Sequence, residues 1–113
     1  MAEPPVEIEL DLRRCQLRID GQIVGLEPRV FDLLHYLIER NDRVVSKREL
    51  LENVWPGAAV SDSALNRAVS RARKALRRQG GEELIQTVYG RGYRFNASAV
   101  VLPDRPSDTG FFA

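Results

Sequence analysis

The segment from Ser61 to Arg78 constrains the fold most, because it predicts one long helix with two unlike faces. Ser61 or Asp62 can cap its start and Gly80-Gly81 can stop it, so the helix would be about 27 Å long at 1.5 Å per residue. One apolar stripe runs along it at positions i, i+4, i+7 and i+11, formed by Leu65, Val69, Ala72 and Leu76. Such a helix must bury this stripe in a core and leave its other side accessible.

The accessible side of this helix is basic. From Ser61 to Gly80 the sequence has six bases and one acid, Asp62, although the formal net charge of the whole chain is only +1. Residues 1–40 hold eight acids and five bases, whereas residues 41–113 hold eight acids and twelve bases. The residues on the outward face and its flank are Ser63, Asn66, Arg67, Ser70, Arg71, Arg73, Lys74, Arg77 and Arg78. A local positive field of this kind attracts a polyanion.

These residue types have matching partners on duplex DNA. In the major groove, arginine can donate two hydrogen bonds to guanine and asparagine can pair with adenine. Serines and flanking bases suit phosphate oxygens, which position a protein without reading sequence. The alternative is a solvated helix face. Such faces usually interleave both signs, and this one has no acid between Asp62 and Glu82.

The remaining chain supplies strands and two further helices. Residues 6–12 and 15–19 alternate apolar and polar residues, and Asp20-Gly21 precedes residues 22–24, which predicts a small antiparallel sheet of three or four strands. Apolar residues at helical spacing predict a helix over 28–40, and a capping box formed by Ser46 and Glu49 opens a short helix. This short helix must end by Pro56-Gly57.

A β-hairpin follows the basic helix. Strands at 84–88 and 93–97 flank the turn Tyr89-Gly90-Arg91-Gly92, and Arg91 at its tip, with Arg94 nearby, suits the negative potential of a narrow minor groove. A simple surface turn is the alternative. The order of elements predicts an α+β fold, a winged helix-turn-helix with an N-terminal antiparallel sheet, three helices and a C-terminal β-hairpin wing at 84–97.

The length of 113 residues predicts one domain over 6–99, with a disordered N-terminus at 1–5 and a tail or the start of a linker at 100–113. No apolar run approaches the roughly 20 residues that span a bilayer, and the single Cys15 suits the cytoplasm. His35 is expected to be a packing residue. Because no metal-ligand cluster, phosphate loop or nucleophile signature is present, we expect no metal, no cofactor and no enzyme activity.

Several motifs together resemble the C-terminal effector domains of the OmpR/PhoB family of bacterial transcription regulators. The matching segments are LEPRVFDLL (26–34), VSKRELL (45–51), VW (54–55), RARKAL (71–76) and QTVYGRGYRF (86–95). The resemblance implies a four-stranded N-terminal sheet, a third helix in the major groove and a wing at the adjacent minor groove. It also implies RNA polymerase as a candidate partner of the loop between the second and third helices.

The resemblance also implies roles for single residues. The base-reading candidates are Asn66, Arg67, Ser70 and Arg71. Arg73 and Lys74 would contact phosphates, with Thr87 as a further contact at the wing. Tyr89 stands where many members have arginine, so Arg91 is expected to take over the minor-groove role. The loop 56–60 is small and apolar, without the charged residues expected for a polymerase contact.

The effector-like segment begins within a few residues of Met1, so we expect no receiver domain before it and a further domain after it, as in relatives with an N-terminal DNA-binding domain, or else a free-standing domain. The leading hypothesis is a transcription factor domain that binds duplex DNA as a dimer or tandem pair. The competing hypothesis is a winged-helix interaction module that packs against a fused partner domain without binding DNA. RNA binding is a weaker third hypothesis, because the sequence has no aromatic platform for unstacked bases.

Overall fold

The computed structural model describes residues 7–57, 61–77, 84–97 and 99–102. The predicted winged helix-turn-helix is confirmed, with an N-terminal sheet, three helices and a C-terminal hairpin. The elements in chain order are β1 Ile8–Asp11, β2 Gln16–Ile19, β3 Gln22–Val24, α1 Pro28–Glu39, α2 Lys47–Val54, α3 Asp62–Arg77, β4 Ile85–Val88, β5 Gly92–Phe95 and β6 Val100–Leu102.

The first three strands form the predicted antiparallel meander. Leu17 of β2 pairs with Leu10 of β1 and with Val24 of β3, so three aliphatic residues lie side by side on the buried face of the sheet. Asp20 and Gly21 both have positive φ, 51° and 84°, as a two-residue hairpin turn matching the twist of its strands requires. The Asp-Gly signal in the sequence therefore located this turn correctly.

The fourth strand of this sheet comes from the other end of the domain. β6 pairs with β1 in parallel, with Val101 opposite Leu10, and the sheet order is β3-β2-β1-β6. The prediction of a tail from residue 100 is therefore wrong for 100–102, where no strand was expected. Three apolar residues are too few to show alternation, and pairing with a strand some 90 positions away leaves no local signal. Residues 103–113 and 1–6 lie outside the described residues.

The helices pack over the core as the apolar spacing predicts. On α1 the buried residues are Val30, Phe31, Leu33, Leu34, Leu37 and Ile38. Ser46 caps α2, because its hydroxyl accepts a hydrogen bond from the Glu49 N–H at 3.0 Å. The predicted capping box is only half formed. Instead of returning to the serine, the Glu49 carboxylate accepts hydrogen bonds from the Tyr36 hydroxyl and, at 2.6 Å, from the Arg43 guanidinium.

This carboxylate joins α1 and α2 electrostatically. The hydrogen bond from Arg43 and then that from Tyr36 lower the pKa of Glu49 to about 2, against a smaller opposing effect of burial. The Arg40 guanidinium lies 3.6 Å from the centroid of the Tyr36 ring and adds a cation–π contact to the same cluster. The cluster fixes how α1 and α2 meet, and α3 packs against both helices.

Candidate nucleic-acid interface

The two faces of α3 are placed as the sequence predicts. Leu65, Val69, Ala72 and Leu76 are at most 2% exposed. Ala68 and Ala75 are also buried and widen the stripe. Because this side is fixed in the core, the orientation of the outward face is fixed too. The predicted site residues exposed on it are Ser63, Asn66, Arg67, Ser70, Arg71 and Lys74. Arg78 lies outside the described residues.

Arg71, a predicted base-reading residue, has an acidic neighbour that the sequence did not indicate. Its guanidinium is ion-paired with the carboxylate of Glu27, the residue just before α1. Both side chains are about half or more exposed, 51% for Arg71 and 62% for Glu27. Exposed pairs of this kind contribute about 1 kcal/mol or less, so a base or phosphate can compete for the guanidinium.

Arg73 is half-buried and connects α3 to the wing. Its Nε and Nη2 donate to the Ile85 carbonyl at 3.1 and 2.9 Å, and Nη2 also donates to the Thr87 hydroxyl at 2.7 Å. Arg73 and Thr87, both predicted phosphate contacts, are thus bonded to each other. In the structure these hydrogen bonds connect β4 to α3. A phosphate contact by either residue stays a prediction.

Asn66 is held by the wing as well. The Tyr93 hydroxyl donates to its Oδ1 at 3.1 Å, although Tyr93 itself is only 5% exposed. Tyr93 was not among the site residues predicted from the sequence. In the sequence, Tyr93 cannot be distinguished from any other core position of a strand, because nothing local shows that its hydroxyl reaches an exposed residue of α3.

The wing turn is the most exposed part of the hairpin. β4 pairs with β5, with Val88 opposite Gly92, and the Arg91 N–H donates to the Val88 carbonyl at 2.9 Å to close the turn. Tyr89 is 90% exposed and Arg91 is exposed, as expected for a projecting turn. Arg94 is partly exposed, between the buried Tyr93 and the buried Phe95 of the same strand.

A close backbone approach fixes where the wing lies. Val45, in the link between α1 and α2, exchanges two backbone hydrogen bonds with Tyr93, at 2.8 and 2.9 Å. A Cβ on Gly92, whose φ is +146°, would lie 2.0 Å from the Val45 carbonyl oxygen, so only glycine fits there. Lys47 at the start of α2 faces the wing across an open cleft of about 500 Å³, and adds a cation that the sequence did not single out.

The described residues contain neither a metal-binding cluster nor a membrane-spanning helix. Among them, no group of three or more His, Cys, Asp and Glu residues is arranged to hold a metal ion. The described helices include none with the length and hydropathy of a membrane span. His35 lies against Glu39, with Nε2 and Oε2 3.0 Å apart, one turn along α1.

Residues 21–95 match the protein family described as "Transcriptional regulatory protein, C terminal". The chain is 41% identical over 91 residues to the phosphate regulon transcriptional regulatory protein PhoB of Klebsiella pneumoniae, covering 80% of this chain and 40% of PhoB. It is 35% identical over 100 residues to the transcriptional regulator HilA of Salmonella typhi, covering 82% of this chain and 18% of HilA. The chain therefore spans less than half the length of these relatives.

A solved structure with the same fold is the DNA-binding domain of Klebsiella pneumoniae RstA in complex with the RstA box. It superposes with a TM-score of 0.65 at 28% identity and covers 76% of this chain and 87% of that domain.

Proposed function

Because this chain belongs to the family of transcriptional regulatory protein C-terminal domains, we propose that it binds double-stranded DNA sequence-specifically and so regulates transcription. The observation that carries the proposal is the exposed basic face of α3, which the core fixes on one side and Arg73 fixes against the wing. The related RstA domain was solved on its DNA box, and its shared fold supports the same mode of binding.

In the proposed complex, α3 lies in the major groove, which is wide enough for a helix. Asn66, Arg67, Ser70 and Arg71 face base edges from the exposed side of the helix. The phosphate contacts come from Ser63, Lys74, Arg78, Thr87 and the remaining N–H groups of Arg73.

At the wing, Arg91 enters the adjacent minor groove and Tyr89 packs on the sugar–phosphate backbone beside it, with Arg94 as a flanking charge. Lys47 lies across the cleft from this turn and supplies a further phosphate contact. Arg91 thereby supplies the minor-groove charge from the tip of the turn, two residues after Tyr89.

The wider assembly is part of the proposal. We infer that two copies bind repeated half-sites as a dimer or tandem pair and that the protein works in the cytoplasm. We also infer that this chain is the DNA-binding part of a longer protein with further domains. RNA polymerase is a candidate partner. The resemblance assigns this contact to the loop 56–60, of which residues 58–60 lie outside the described residues.

The test is binding of labelled duplexes by electrophoretic mobility shift and fluorescence anisotropy, with operators selected from a random library. About five phosphate contacts give a log–log salt slope near −4 to −5. Arg67→Ala and Arg71→Ala should each cost about 1–3 kcal/mol and change sequence preference. Arg13→Ala is a matched control, because Arg13 is exposed in the turn between β1 and β2.

The competing proposal, an interaction module without DNA binding, predicts a different result. No retardation at micromolar protein and moderate salt would favour that module. Equal losses on all sequences for Arg67→Ala and Arg71→Ala would reduce both residues to phosphate contacts.

A further inference from the structure

Glu27 lies just before α1, and its carboxylate contacts α3 instead of its own helix. A side chain in this N-cap position can accept hydrogen bonds from the first backbone N–H groups of the helix. The Glu27 side chain makes no such bond. It is ion-paired with Arg71, which lies 44 positions further along the sequence. The carboxylate is therefore not used to cap α1, and it places a negative charge on the exposed basic face of α3.

This negative charge opposes one particular base. Of the exposed bases described on this face, Arg67, Arg71 and Lys74, only Arg71 forms an ion pair. Glu27, Arg71 and Lys74 line an open groove of about 280 Å³ between α3 and the link before α1. Both paired side chains are more than half exposed, so a ligand can reach the ion pair without any movement of the core.

The two kinds of ligand that DNA offers to Arg71 differ in how this carboxylate affects them. A backbone phosphate carries a full negative charge, which Glu27 repels as long as the ion pair stays closed. A guanine edge presents two neutral acceptors, O6 and N7. The ion pair uses one terminal nitrogen of Arg71, and a guanidinium has five N–H donors. The remaining donors can therefore bond a base while Glu27 stays paired.

We propose that Glu27 is a specificity-determining residue, which makes Arg71 a poorer ligand for phosphate than for a base edge. Glu27 then lowers the affinity for unrelated DNA more than the affinity for the operator. This inference rests on the proposed DNA binding, in which Arg71 faces base edges. The effect is small, because exposed ion pairs change an equilibrium by about fivefold or less.

Glu27→Gln tests the proposal, because it removes the charge and keeps the length of the side chain. Dissociation constants are measured by fluorescence anisotropy at low salt, for the selected operator and for a scrambled duplex of the same length and composition. The variant should bind the scrambled duplex about fivefold and the operator about twofold more tightly than the wild type, so the ratio of the two affinities falls about two- to threefold. The log–log salt slope should become steeper by about 1 on the scrambled duplex, as one added phosphate contact requires, and change less on the operator.

Two controls separate this role from a general change of charge. Glu52→Gln removes the same charge from an exposed site on α2 and should leave the ratio of the two affinities unchanged. In the Arg71→Ala background, Glu27→Gln should also leave this ratio unchanged, because the carboxylate acts through the guanidinium.

Three results would overturn the proposal. Equal gains on the operator and the scrambled duplex would make Glu27 a general repulsive charge. A loss of affinity confined to the operator would mean that Glu27 holds Arg71 in place for a base or contacts the base itself. A fall in the affinity ratio that persists in the Arg71→Ala background would show that Glu27 acts without Arg71. Each of these results leaves the proposed function intact, whereas failure of the wild type to prefer the operator over the scrambled duplex would reject both.

Discussion

Replacing Gly92 with alanine should displace the wing, because the space for a side chain is already occupied by backbone. The new Cβ would lie 2.0 Å from the Val45 carbonyl oxygen and 2.8 Å from the Ser46 Cα. Neither atom can rotate away as the end of a side chain could. The strand and the link must therefore separate by about 1 Å to restore an ordinary contact.

The cost follows from what this separation breaks. It weakens the two backbone hydrogen bonds between Val45 and Tyr93, worth about 1 kcal/mol each, and adds about 1–3 kcal/mol of strain for a side chain at a φ of +146°. We expect the free energy of unfolding to fall by about 3–5 kcal/mol in Gly92→Ala. Urea unfolding followed by circular dichroism measures this loss.

Gly90→Ala is the matched control in the same turn. Gly90 also has positive φ, +78°, but apart from Gly90 itself and its two chain neighbours, no heavy atom of the described residues lies within 4 Å of the point that a Cβ on it would occupy. It should lose only about 1–2 kcal/mol, the strain of a left-handed backbone conformation. If Gly92→Ala were no less stable than Gly90→Ala, the close approach to Val45 would not limit the position of the wing.

Three further predictions concern charged residues. Glu27→Gln should free the Arg71 guanidinium and raise DNA affinity about two- to fivefold at low salt, with Glu52→Gln as an exposed control. Equal affinities of wild type and Glu27→Gln would show that the Arg71–Glu27 ion pair does not compete with DNA. Because the pKa of Glu49 lies at about 2, its carboxylate should stabilise the fold fully above its ordinary value of 4.5 and lose this effect as the pH falls through 2. The difference in unfolding free energy between wild type and Glu49→Gln should therefore be about 1–2 kcal/mol at pH 6 and shrink toward pH 2.5, and a pH-independent difference would contradict the assignment. Arg73→Lys should lose the forked hydrogen bonds to Ile85 and Thr87, since an ammonium cannot donate in that geometry. The free energy of unfolding measured in urea should fall by about 1–2 kcal/mol. An unchanged free energy of unfolding would mean that these hydrogen bonds do not hold the wing.

Local patterns predicted every described helix and strand except β6. The apolar stripe from Leu65 to Leu76 follows from the helical spacing of 3.6 residues, and the strands around Asp20-Gly21 follow from a spacing of 2 residues with a turn that these two residues favour. Each of these signals is visible within a short stretch of sequence. β6 was missed because its partner β1 lies at the other end of the domain, and nothing in residues 100–102 indicates that pairing.

The same distinction applies to the candidate site. The sequence predicted which residues of α3 are exposed, because exposure follows from the helical period. It did not predict that Arg71 is paired with Glu27 or that Tyr93 holds Asn66, which are separated by 44 and 27 positions. The periodic pattern of apolar residues predicts whether a side chain faces the core or the solvent. It does not predict which residue that side chain contacts, because the contact depends on how elements far apart in the sequence pack.

The parallel pairing of β6 with β1 has a mechanical consequence. A pull on the chain after Leu102, resisted at the start of β1, loads the hydrogen bonds between these two strands in shear, so that they bear the force together instead of opening one at a time. Tension from a segment that follows this domain would reach the sheet before it reaches α3. Such a force would load the sheet before it loads the helix that presents Arg67 and Arg71.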